Sequence, residues 1–282
     1  MLRKSMRPIS FKRIIELCSL SLKKGFLDVK TISNELQVTD KRSKELLREL
    51  SSMNLLKKLN GSYSPKKNTE KLLDFFSKGD WVNINNFFIK NQVFYKNLIK
   101  YMKDNSLDKG YTINDLTILL ENHTLHYNNA SIEIILRWAE RFGTVQRNLY
   151  TNTFYYINNE EPNIELFINS LLSNYNSLNK KRGLFLSKTF IEIPHLREQV
   201  CENLKISRET FDKKFLEYFK KSIGKVELSG APTITSAKRS PFSIKETNIG
   251  YNKDIISPIY DLEKERKGLE LMGKMYYFVA IH

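Results

Sequence analysis

The sequence predicts a mainly α-helical chain with small β hairpins, arranged as tandem modules. Three observations carry this. Apolar residues recur at helical spacing through most of the chain. Short strand-like runs follow the helices, and the first pair flanks Asn60-Gly61, the strongest short-range hairpin signal. The chain has 282 residues, 41% hydrophobic and 27% charged, enough for two or three separate cores.

The first module spans 1–67. Phe11, Ile14, Ile15, Cys18 and Leu22 fall at helical spacing over 10–23, and Gly25 ends that helix. A short helix over 28–36 follows, then the turn Gln37-Val38-Thr39. Thr39 is an N-cap residue for a helix over 40–53 with the apolar stripe Leu46, Leu47, Leu50 and Met53. Two short strands, 55–59 and 62–64, close the module. The second module spans 68–160. It opens on the apolar cluster Leu72, Leu73, Phe75 and Phe76 and keeps a helical period from Ile84 to Met102. A helix after Gly110-Tyr111-Thr112 and another over 131–142 follow, with Gly143 as the stop. Strands are expected at 144–148 and 153–157. The third module spans 161–282, with a helix over 164–175 and a basic break at Lys180-Lys181-Arg182-Gly183. A helix opened by Pro194, a helix over 208–221 capped by Ser207, and strands at 225–228 and 275–281 complete it. Between these strands lies a connection at 229–274, longer than ordinary loops.

Helix, short helix, turn, helix, hairpin is the order of the first module, with 29–63 carrying its last four elements. It recurs over 111–157, and again over 193–228 with 275–281. In this order the chain resembles the winged helix-turn-helix superfamily, in two or three tandem copies. The resemblance lies in element order and caps and covers most of the chain. It implies helical cores with a small hairpin each and, most often, binding to double-stranded DNA. Winged helices also serve as protein-docking modules, so the fold alone does not decide the role.

Charge points the same way. The chain carries 46 Lys and Arg against 31 Asp and Glu, net +15, which favours a polyanionic partner. Residues 1–65 hold 14 basic and 6 acidic residues, net +8; 66–160 hold 12 and 10, net +2; 161–282 hold 20 and 15, net +5. On a helix over 40–53, Lys41, Lys44 and Arg48 point away from the apolar stripe, Arg42 lies nearer the core edge, and Glu45 and Glu49 flank the basic stripe. A second helix of this kind turns its N-terminal half into the major groove, which nominates Thr39, Lys41, Arg42 and Lys44 for base edges or phosphates. Lys57 and Lys58 on the first wing strand are placed to reach phosphates. In the third module Arg208, Lys213, Lys214, Lys220 and Lys221 decorate the equivalent helix, diluted by Glu209, Asp212 and Glu217. Lys238 and Arg239 lie in the long connection, where they could follow a phosphate backbone. The second module offers a mixed face, Glu133, Arg137, Glu140 and Arg141, and a hairpin with Phe154 and Tyr156 inward and Tyr150 and Tyr155 outward. It is expected to meet protein rather than DNA.

No phosphate-cradling Gly-rich loop, nucleophile elbow or His-Glu-x-x-His run occurs, so an enzyme is not expected, and no cofactor or metal is implied. The run 261–267 has a nuclease-like set of carboxylates and lysine but reads as a charged, solvated helix. Cys18 and Cys201 sit in helical patterns far apart and do not suggest a disulfide. No apolar run reaches bilayer length, and the stretch 1–8, basic but without a following apolar run, is not expected to act as a secretory signal. The reading is a non-catalytic DNA-binding protein of the cytoplasm, nucleoid-associated in a prokaryote, of the kind that regulates transcription. The alternative is a winged-helix subunit of a larger nucleoprotein assembly. The oligomeric state is not readable.

Overall fold

The computed structural model describes residues 5–105, 109–121, 124–158, 160–181, 190–230 and 267–282. The chain divides into two compact units. The first comprises Met1–Arg147 with Asn152–Tyr156, the second Asn148–Thr151 with Ile157–His282. The first unit thus holds the modules expected at 1–67 and most of 68–160.

In the first unit, α1 (Phe11–Lys24) starts at Ser10, whose hydroxyl accepts from Arg13 N, and ends at Gly25 in the left-handed region. Leu27 is extended and exchanges two backbone hydrogen bonds with Tyr63. Helices α2 (Val29–Leu36) and α3 (Asp40–Ser52) follow, then the antiparallel pair β1 (Leu56–Leu59) and β2 (Ser62–Pro65). Three helices come next: α4 (Lys67–Ser77), α5 (Trp81–Asn91) and α6 (Val93–Asp104). The apolar period from Ile84 to Met102 predicts one continuous pattern. The structure breaks it at Gln92, whose extended backbone ends α5 and whose side chain caps α6 at Phe94 N. The earlier order then repeats. Tyr111 bridges to Phe154, α7 (Ile113–Leu119) and α8 (Asn129–Arg141) follow, and β3 (Val145–Arg147) pairs with β4 (Phe154–Tyr156).

The two halves of this unit share an aromatic core. Phe11 of α1 packs edge-on against Phe142 after α8 at 5.2 Å between ring centroids, and Phe88 of α5 lies 5.0 Å from both Trp138 and Phe142. Rings of this size bury the largest apolar area per side chain and gain further from edge-to-face geometry.

The second unit contains α9 (Ile164–Lys181), β5 (Ile191–Glu192), α10 (Ile193–Leu204), α11 (Arg208–Lys221), β6 (Val226–Gly230), β7 (Leu269–Leu271) and β8 (Lys274–Ile281). Its order again is helix, a short extended piece, two helices and a hairpin, with β5 in the place of Leu27 and Tyr111. The basic break expected at 180–183 does not begin at its first residues: α9 runs through Lys180 and Lys181. The long connection is shorter than the predicted 229–274, because β6 extends to Gly230 and β7 returns at Leu269. Tyr276 pairs with Gly230 of β6 and with Leu269 of β7, which puts these strands on opposite sides of β8. Gly268 is required where β7 begins, since a Cβ there would collide with the Tyr276 carbonyl. The sequence pattern misses β5 and β7, at two and three residues too short to show alternation.

Among the described residues no helix is long and apolar enough to cross a membrane.

Candidate nucleic-acid interface

The site begins with α3. Thr39 is extended and its Oγ1 accepts from Arg42 N, so the helix starts where the cap chemistry places it. Leu46, Leu47 and Leu50 are buried beneath it, followed by Met53 at the C-cap. This orientation turns Lys41, Lys44 and Arg48 to solvent. They stand three and four residues apart, so the stripe runs about 10 Å along the helix at ~1.5 Å per residue. On the same helix, Glu45 is already engaged by Arg42 at 3.2 Å and by Arg7 at 3.7 Å. Among the described residues, Lys41, Lys44 and Arg48 have no ion pair.

Two residues of the predicted set behave differently. Arg42 is half-buried, with Nη2 donating to the Pro8 carbonyl at 2.7 Å and Nη1 to Glu45 at 3.2 Å. Its fork is spent inside the protein. Glu49 does not flank the basic stripe; it is buried and accepts from Arg7 N at 2.8 Å. Thr39 is exposed, with its hydroxyl committed to the cap.

The hairpin beside α3 supplies two more cations. In β1 only Leu56 is buried, and Lys57 and Lys58 are exposed opposite Ser64 and Tyr63. Leu59 pairs with Ser62 across a two-residue loop, and both loop residues, Asn60 at φ 45° and Gly61 at φ 87°, lie in the left-handed region. That is the turn an Asn-Gly pair favours. Neither lysine has an ion pair among the described residues.

The equivalent helix of the second unit, α11, buries Phe211, Phe215 and Tyr218 and is capped by Ser207. Its predicted DNA contacts are occupied. Arg208 makes a bidentate pair with Glu198 of α10, at 2.5 Å from Nε to Oε1 and 3.0 Å from Nη2 to Oε2. The Glu198 side chain is only 1% exposed and also accepts from Leu149 N. Lys213 bonds Glu161 at 2.8 Å, and Lys214 lies 3.5 Å from the other oxygen of that carboxylate. This hydrogen bond raises the Lys213 pKa and lowers that of Glu161. Asp212, expected merely to dilute the positive face, is clamped by Arg197 at 2.9 and 3.1 Å. Burial raises its pKa against the opposing pull of Arg197. No local pattern announces Glu161 or Glu198 as partners, because Glu161 stands 52 residues from Lys213 and Glu198 lies on another helix. Lys238 and Arg239 lie outside the described residues, as does all of 261–267 except Lys267.

In the second module α8 has no cationic stripe. Ile132, Ile134, Ile135, Leu136, Trp138 and Ala139 are all buried, so the helix is enclosed on most sides. Arg137 pairs with Glu133 at 2.8 Å, and the Arg141 guanidinium lies 5.1 Å from the Phe11 ring and 5.2 Å from that of Trp81. The hairpin tyrosines separate. Tyr155, expected outside, is buried and its hydroxyl accepts from Gln146 Nε2, whereas Tyr156 is half-buried. Tyr150 is partly exposed and stacks on His195 at 4.2 Å. Alternation misassigns this strand because three residues are too few to establish which face is inward.

Both cysteines are buried, and desolvation pushes the Cys18 thiol up to about 12, so little of it is thiolate at neutral pH. Among the described residues no three His, Cys, Asp or Glu side chains gather where they could hold a metal ion.

No family model, curated protein or solved structure matches the chain.

Proposed function

We propose that this is a non-catalytic double-stranded DNA-binding protein built from winged helix-turn-helix modules, and that its first module, through α3 and the β1–β2 hairpin, makes the main contact. The observation that carries this reading is the free cationic face of α3. Three cations stand exposed on one side of a well-capped helix, beside a hairpin with two more, while on α11 Arg208, Lys213, Lys214 and Lys221 are held by carboxylates and, among the described residues, only Lys220 has no ion pair. Free lysines and arginines gain from meeting phosphate, because counterions are released. Paired ones must first give up their partners. The repeated order of helix, extended bridge, two helices and hairpin supports the winged-helix assignment, and the overall charge of +15 fits a polyanionic ligand.

The test is duplex affinity across a salt series, for the full chain and for Lys41→Ala/Lys44→Ala. At roughly 0.9 per phosphate contact, the double variant should lower the log–log salt slope by about 1.8. Its melting temperature should not move, since both side chains are exposed. An unchanged slope and affinity would remove α3 from the interface.

A second reading, a subunit of a larger nucleoprotein assembly, is favoured by the second module. There α8 offers no groove-reading face, and neighbouring α7 exposes Ile118 and Leu119, which suit a protein surface. Copurification from native extract of a defined partner that is lost on Ile118→Ser/Leu119→Ser supports that role; recovery of the chain alone on DNA argues against it.

A further inference from the structure

The exposed face of α3 carries several ways to hold a phosphate but only one free side chain that can read a purine bidentately. Sequence discrimination in the major groove needs a planar, paired set of donors or acceptors. Arg does this at guanine through O6 and N7, and Asn or Gln at adenine through N6 and N7. Helix α3 contains no Asn or Gln. Three hydroxyls here are committed: Thr39 caps Arg42 N, the Ser43 hydroxyl donates to Thr39 O, and that of Ser52 to Glu49 O, while Ser51 is half-buried in the last turn. Lys41 and Lys44 are point charges on flexible stems, suited to phosphate but poor at distinguishing bases. Two guanidinium forks remain. The fork of Arg42 is held by Pro8 O and Glu45. Arg48 is exposed and, among the described residues, has no partner. Helical geometry explains why. The positions four residues away are Lys44 and Ser52, which offer no carboxylate, and Glu45, three residues back, is taken by Arg42 and Arg7.

Resting on the DNA-binding reading above, we infer that Arg48, one turn beyond Lys44 on the same exposed stripe and long enough to lean back toward the N-terminal half as long helical side chains do, is the base-reading residue of this protein and that it recognises guanine in the major groove, while Lys41 and Lys44 hold the flanking phosphates. The preferred site therefore contains a guanine at one dominant position opposite α3. Outside that position the site tolerates substitution.

The experiment selects binding sites from a randomised duplex pool with the full chain, then measures affinity for the selected duplex. A variant duplex carries 7-deazaguanine at the dominant position, which deletes the N7 acceptor and leaves Watson–Crick pairing intact. Arg48→Lys is run in parallel. It keeps the charge and removes the fork. The wild-type chain should select guanine and lose about 10-fold in affinity on the deaza duplex, within the range of roughly 5- to 150-fold that a bidentate contact supplies. Arg48→Lys should bind the two duplexes equally with an unchanged salt slope, and its own selection should return no dominant guanine. Guanine selection that survives Arg48→Lys overturns the inference. So does steep, salt-dependent duplex binding with no base preference in the wild type, which leaves the DNA-binding reading standing. Absence of duplex binding by the wild type overturns both.

Discussion

Arg208 separates a structural role from a DNA-contacting one. In sequence it sits at the start of a helix whose position invites groove contact. In the structure it neutralises Glu198, a carboxylate with 1% side-chain exposure, while Arg208 itself is 20% exposed. Arg208→Ala leaves that carboxylate buried with Leu149 N as its remaining donor. Breaking one side of a buried pair costs about 3–5 kcal/mol. The loss in Arg208→Ala should therefore fall in that range, because nothing else in the site replaces the guanidinium. Both tryptophans, Trp81 and Trp138, lie in the first unit, so tryptophan fluorescence does not report on this site. Hydrogen exchange of α10 and α11 peptides does, and it should accelerate by up to about three orders of magnitude. The double replacement Glu198→Leu/Arg208→Met should be close to neutral, since an apolar pair of similar volume removes both charges together. A chain carrying Arg208→Ala with wild-type exchange rates and a weakened hold on DNA would refute this account and restore Arg208 to the interface.

Two further outcomes follow from local geometry. The β7–β8 loop is Met272-Gly273, at φ 51° and 72° between the paired residues Leu271 and Lys274, the same two-residue form as Asn60-Gly61. Met272 is 94% exposed, so no packing offsets its left-handed backbone; Met272→Asn should raise the denaturant midpoint by an amount corresponding to about 1 kcal/mol, and a lower midpoint would contradict the turn assignment. Asp28 caps α2 by accepting from Thr31 N at 2.7 Å, which lowers its pKa. A carboxylate whose folded pKa lies below its unfolded one contributes stability above the unfolded value near ~3.9 and loses it as the pH falls through the folded value. Asp28→Asn keeps the cap but not the titration, so wild type should exceed it in stability at pH 7 and the two should converge on acidification; a gap that widens in acid would invert the sign.

Much of the local structure is legible in the chain itself. Thr39 and Ser207 cap the helices their positions announce, and Ser10 and Asp28, expected inside their helices, cap them instead, because capping is a contact between residues three apart. Asn60-Gly61 forms the expected hairpin for the same reason. The outward stripe of Lys41, Lys44 and Arg48 follows from projecting α3 around Leu46, Leu47 and Leu50. Failures gather where the deciding neighbour is remote or the element is too short. Strand β4 buries Tyr155, and the isolated residues Leu27 and Tyr111 act as strands only because Tyr63 and Phe154 are there to pair with them.

The sequence alone determined the helix periods, caps, turn chemistry and charge bias, since each depends on residues within a few positions or on composition. Only the tertiary structure decided which cations remain free. Arg42, Arg208, Lys213 and Lys214 resemble Lys41, Lys44 and Arg48 in type and helical position. They differ because Pro8, Glu198 and Glu161 are brought against them by chain packing. An exposed charge is available to a ligand only where the fold has not already supplied its counter-charge or an acceptor, and no linear pattern encodes which distant carboxylate or carbonyl will arrive.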